Sequence, residues 1–248
     1  MEALRPAWRN TFEFSGSFGI LLILLFGIPR FIIVLNANVC GDYKLVPIIF
    51  ILMAVTPILL LTRVGMSSIG ITKPNKSLWL LYSFLLGIVA CSITFMAAEL
   101  FFSDTFSNWF VYISRSYAVS RTGLAESDRF IYFLIYAIVG MTFSPIGEEF
   151  FYRGIVHGSF SGQFGNQKAS TFESIAFAVT HLAHFGIVYI SGVWKFLLVP
   201  SLAWMFFMFA TGKLFFFCKE KAGCIWGAVL SHAGYNLAMM YFIFYHVL

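Results

Sequence analysis

The chain has 248 residues, of which 60% are hydrophobic and 11% charged, with a mean hydropathy of +0.85 and a formal net charge of +5. A soluble domain carries roughly 25% charged residues, and here 31 phenylalanines in long apolar runs leave too little polar sequence to cover a water-facing surface. The 16 Lys and Arg are scattered through the connections with no basic stripe, which excludes a nucleic-acid partner. Cys40, Cys91, Cys218 and Cys224 lack CxxC spacing, which argues against a zinc ribbon or a disulfide framework and leaves free thiols.

A membrane span needs about 20 predominantly apolar residues. By that rule helices are expected near 16–36, 45–62, 78–102, 129–158, 168–187, 193–215 and 223–246. The expected fold is all-α: a polytopic integral membrane protein of about seven transmembrane helices, forming a single membrane domain over residues 1–248. No small-residue cleavage site follows the first apolar run, so that helix is expected to remain as an anchor. Arg30, inside it, is read as snorkelling toward a head group, with pairing to another charge as the alternative.

Arg5, Arg9 and the cationic connections 63–77 and 213–221 put the N-terminus in the cytoplasm by the positive-inside rule, and in a prokaryote the membrane is the inner one. Arg115, Arg121 and Arg129 populate the opposite face. The polar connection 104–128 is read as an ordered loop, with an interfacial amphipathic helix around Trp109, Phe110, Tyr112 and Ile113 as the alternative. In the fourth stretch Pro145 lacks a backbone donor and frees the carbonyl of Met141, so a kink is expected there. No internal repeat of the kind common in transporters is visible.

A charge at mid-bilayer costs on the order of 2.5–3.5 kcal/mol, so each needs a partner or a role. Here Glu148, Glu149, Arg153, Glu173, His181, His184, His232 and Asn236 cluster in or near three spans. In Gly147-Glu-Glu-Phe-Phe-Tyr-Arg-Gly154, Glu149 and Arg153 are four apart and can pair along one helix face. Glu148 points elsewhere and has no cation one turn along, which makes it a candidate general base. A simple ion-pair knot that fixes helix packing is the structural alternative. His181 and His184 share nearly one face and could ligate a metal, although no HExxH accompanies them. His232 and Asn236, four apart, align an imidazole and a carboxamide, and Ala233 and Gly234 between them permit close approach of another backbone.

Glu148-Glu149-x-x-x-Arg153, Phe177-x-x-x-His181 and His232-x-x-x-Asn236, in that order, resemble the motif set of the CAAX-protease and bacteriocin-processing (CPBP) family, which includes the CAAX prenyl endopeptidases. The resemblance covers about residues 129–240. The turn Ile69-Gly-Ile-Thr-Lys-Pro74 is similar to a loop frequent in the family.

That resemblance implies a glutamate-type intramembrane protease with its motif residues around an intramembrane cavity, using neither cofactor nor metal. Glu148 and His181 would activate a water, and His232 and Asn236 would donate to the oxyanion. Glu149, held by Arg153, would orient the site. The implied partners are the lipid bilayer and a membrane-anchored or membrane-embedded peptide. His184 lies outside the motif set and is assigned a supporting hydrogen bond. The alternatives are a zinc-dependent membrane metalloprotease, a non-catalytic scaffold or immunity protein, and a transporter.

Overall fold

A computed structural model describes residues 3–117, 119 and 125–248, with only the backbone of Ser127. A short turn α1 (Pro6–Arg9) precedes α2 (Gly16–Cys40) and α3 (Val46–Leu60), and α4 (Arg63–Ser68) leads into α5 (Leu78–Phe102). After α6 (Trp109–Ile113) comes α7 (Glu126–Glu148), which continues as a π-helical segment (Glu149–Val156) into α8 (His157–Thr180). A hairpin of β1 (Ile187–Ile190) and β2 (Val193–Phe196) precedes α9 (Leu198–Ala222) and α10 (Trp226–Phe242).

Among the described residues, four helical stretches are long and apolar enough to cross a membrane: Gly16–Cys40, Leu78–Phe102, Asp128–Ala183 and Leu198–Ala222. Val46–Leu60 is a shorter apolar helix. The polarity is inverted relative to a soluble protein. Leu81, Leu85, Val89, Ile93, Met96 and Leu100 form an exposed stripe along α5, with Leu100 77% exposed, whereas Glu149 and Arg153 are at 0%. An apolar outside around a charged inside is stable only in an apolar solvent, so the protein is an integral membrane protein.

At the centre, α10 packs on α5, α7 and α9. The close approach anticipated at Gly234 is made by α5, since a Cβ at Gly234 would overlap the carbonyl oxygen of Phe84. Near Pro145 the chain does not break. Instead the helix widens into the π segment from Glu149 onward, and α8 bends at Gly165, whose φ of 75° and ψ of 161° suit glycine alone.

Expected helix boundaries are corrected in two places: the gap expected at 159–167 lies within α8, where Gly165 bends the helix without ending it, and a hairpin replaces two span ends. Residues 187–196 form the antiparallel hairpin, with Ile187 opposite Phe196, instead of the end of one span and the start of the next. Its β-branched and aromatic residues flank Ser191 and Gly192, whose φ values of 53° and 82° are those a tight two-residue hairpin turn requires. Around 109–113 the aromatic residues do form a helical turn, but it is not interfacial. Trp109, Phe110, Tyr112 and Ile113 are all buried, and Trp109 Nε1 donates to the carbonyl of Pro200 at 3.0 Å. Arg121 lies outside the described residues. All four cysteines are unpaired, as expected.

Candidate active site

The three motifs meet although they are far apart in sequence. Gly147 lets α7 pack against the backbone of α3 at Phe50, where a Cβ would overlap Phe50 O. This seats Glu148 at the wall of a cavity of about 220 Å³ lined also by Arg30, Phe177, His181, His184, His232 and Asn236. Four of the six expected site residues therefore share one chamber. Glu149 and Arg153 do not line it and lie fully buried behind its wall.

Glu149 links the wall to the chamber. Its Oε1 accepts from His232 Nδ1 at 2.8 Å and from Arg153 Nη1 at 3.2 Å, so the i, i+4 pair read from the sequence is present. The other edge of the imidazole, Nε2, stands 3.5 Å from Glu148 Oε2. His232 also stacks on Phe215, with ring centroids 4.8 Å apart, which fixes its plane.

His181 follows the last turn of α8 and faces the cavity. Its Nδ1 lies 2.7 Å from the carbonyl of Phe177, which can only accept, so Nδ1 carries the proton and Nε2 keeps a lone pair. Asn236 also lines the cavity, with Nδ2 donating to Gly140 O at 2.8 Å and to Ser144 Oγ at 3.0 Å, which clamps α10 to α7. Tyr117 closes another part of the lining, and burial pushes its phenol well above the ordinary range, so its hydroxyl stays neutral.

Glu148 has no cation along its own helix, as the sequence showed, but it has one from another helix, and the snorkelling of Arg30 is overturned. Arg30 is only 2% exposed and its Nη2 forms an ion pair with Glu148 Oε1. The partner comes from α2, a whole helix away in the fold, where no within-helix spacing could show it. The sequence signal was the cation itself in the first apolar run, which at the insertion cost of such a charge calls for a partner. His184 meets its assigned supporting role, with Nε2 3.4 Å from Arg30 Nη2.

Glu173 was visible as an acid in an apolar stretch but had no assignment. Fully buried, it sits with Oε2 3.4 Å from Arg153 Nε and Oε1 3.8 Å from His157 Nδ1. Lys219, also buried, donates from Nζ to the carbonyl of Arg153 at 2.6 Å. The guanidinium of Arg153 lies over Phe177, 4.3 Å from the ring centroid, and so connects the ion network to the helix that carries His181. Among the described residues, no three His, Cys, Asp or Glu side chains stand together as a metal-ligand set.

Residues 130–238 match the family model Rce1-like, described as type II CAAX prenyl endopeptidase Rce1-like. The resemblance to the CPBP family thus holds over this segment, which contains all six motif residues. No curated protein and no solved structure matches the chain.

Proposed function

We propose that the protein is a metal-independent intramembrane endopeptidase of the CPBP type, cutting a peptide bond of a membrane-anchored or membrane-embedded substrate. One observation carries this function: Glu148, His181, His232 and Asn236, drawn from three separate helical segments, face one cavity inside an apolar protein. Burying so many polar groups around a cavity is costly unless the cavity handles a polar reaction.

In the proposed chemistry, Glu148 and the lone pair of His181 Nε2 both accept from one water and turn its own lone pair toward the scissile carbonyl. Glu148 takes the proton as the oxygen attacks and later returns one to the leaving amine. His232, whose Nδ1–H is held by Glu149, donates from Nε2 to the developing oxyanion as the imidazolium, and Asn236 Nδ2 donates beside it. Asn236 does so by exchanging its bond to Ser144 Oγ for one to the substrate oxygen. Glu149 fixes the imidazole of His232, and Arg153 fixes Glu149. The motif-bearing part, about 129–240, is the catalytic core of a single membrane domain of about seven spans with a cytoplasmic N-terminus.

The test is cleavage of a membrane-anchored peptide library by protein in nanodiscs, with wild type and Glu148→Ala each assayed with and without a strong chelator. Chelator-resistant cleavage that is lost in Glu148→Ala is the expected result. Chelator-sensitive cleavage restored by zinc would replace this chemistry with that of a metalloprotease.

A further inference from the structure

Arg30 lies a hundred residues before the family-matched segment, yet it touches the proposed general base. Its guanidinium is enclosed on every side. Nη1 donates to Thr180 Oγ1 at 3.1 Å, Nη2 pairs with Glu148 and lies 3.4 Å from His184 Nε2, and the plane sits over Phe50 at 5.3 Å from the ring centroid. Arginine has no acceptor, so His184 Nε2 must present a lone pair to it. His184 and Thr180 therefore act as two fixed acceptors that aim the fork at Glu148.

The charges of the buried cluster show why this cation is needed. Among the described residues the buried carboxylates are Glu148, Glu149 and Glu173, and the buried cations other than histidine are Arg30, Arg153 and Lys219. Arg153 is committed to Glu149 and Glu173, and Lys219 is spent on the carbonyl of Arg153. Arg30 is the one buried arginine or lysine left to face Glu148, and without it the carboxylate would stand in a low-dielectric wall with only the His232 imidazole beside it.

We propose that Arg30 is a positioning residue for catalysis. From the first long helix it holds the Glu148 carboxylate at the cavity wall by an ion pair at Oε1, which leaves Oε2, beside His232 Nε2, for the water, while His184 and Thr180 hold Arg30 in turn. The catalytic unit then includes α2, outside the matched segment, and His184 acts through Arg30 with no metal to bind. This role rests on the proposed function, because it presumes that Glu148 is the base.

The experiment measures kcat and KM for Arg30→Ala, Arg30→Lys, His184→Phe, Thr180→Val and Glu148→Ala in nanodiscs, with each variant checked for wild-type assembly by its thermal unfolding. Misplacing a reacting group by about 1 Å can cost on the order of 100-fold, and a loss of that size in kcat with little change in KM is expected for Arg30→Ala. Added guanidinium ion should restore part of that loss by entering the space left at the wall, and Arg30→Lys should retain more activity than Arg30→Ala. His184→Phe and Thr180→Val, which keep the ion pair, should lower kcat less and leave KM alone.

An assembled Arg30→Ala protein with wild-type kcat, or one whose loss guanidinium does not relieve, overturns the role of Arg30. Should Arg30→Ala fail to assemble, unchanged kcat in both His184→Phe and Thr180→Val overturns it equally. Undiminished cleavage by Glu148→Ala would instead remove the proposed function itself, whereas an inactive Glu148→Ala beside unaffected Arg30 variants removes only the role of Arg30.

Discussion

Replacing Arg153 by methionine, which keeps most of the volume and deletes the charge, tests whether the network behind the cavity holds the bundle together. Arg153 is at 0% exposure between Glu149 at 3.2 Å and Glu173 at 3.4 Å. Glu149 keeps a second partner in His232 Nδ1, but Glu173 loses its guanidinium and keeps His157 at 3.8 Å and the more remote charge of Lys219. Removing one member of a buried ion pair typically costs about 3–5 kcal/mol, because the other charge stays behind unpaired. For 150–250 residues each kcal/mol moves Tm by about 2–4 °C, so the expected drop is roughly 6–20 °C.

The assay is thermal unfolding in detergent for the wild type, Arg153→Met, Glu173→Gln and the double variant. Because the penalty comes from the stranded carboxylate, Glu173→Gln in the Arg153→Met background should recover part of the loss, with a coupling of about 0.5–3 kcal/mol. A wild-type Tm for Arg153→Met, or strictly additive effects, would refute the assignment of the network as a mutually dependent ion cluster.

Three other perturbations give separate outcomes. Asn236→Ala should lower the cleavage rate by about 100-fold to 1000-fold, the usual cost of losing one oxyanion donor, whereas Ser144→Ala, which removes only the resting acceptor of the same amide, should leave kcat unchanged or higher; a large loss in both would mean that the amide serves only to clamp α10 to α7. Gly165→Ala should destabilise by about 1–3 kcal/mol because of its backbone conformation alone, while Gly162→Ala, in the preceding turn with open space around it, should be neutral or stabilising by roughly 0.5–1 kcal/mol; equal Tm values for the two would contradict the bend at Gly165. Gly234→Ala should force α10 off Phe84 of α5 at a cost of about 1–3 kcal/mol and disturb His232 two residues away, which thermal unfolding and cleavage assays would register together.

What the sequence alone determined is what lies within one segment or in its composition. Hydropathy identified the membrane and the long apolar helices, because a lipid solvent requires unbroken apolar stretches, but it put a gap at 159–167 where α8 stays helical and bends at Gly165. Spacing identified the Glu149–Arg153 pair and the common face of His232 and Asn236, since neighbours four apart in a helix meet whatever the tertiary fold. The ordered motifs resemble those of the CPBP family, and the family model Rce1-like matches residues 130–238. Even the irregularity near Pro145 was anticipated, though its form as a π segment was not.

Only the tertiary structure decided the partners between helices. His232 and Glu149 are 83 residues apart, and Arg30 and Thr180 are 150 apart, so no periodicity connects them. Packing decided that Arg30 turns inward to Glu148, that Glu173 completes the coordination of Arg153, and that the aromatic turn at 109–113 is buried against Pro200. It also decided that 187–196 folds as a hairpin, where a short apolar run reads equally well as the end of a span. The physical reason is common to all of these. A polar group in an apolar protein must find a partner, and sequence reveals that need, but which partner satisfies it depends on which helix faces are brought together.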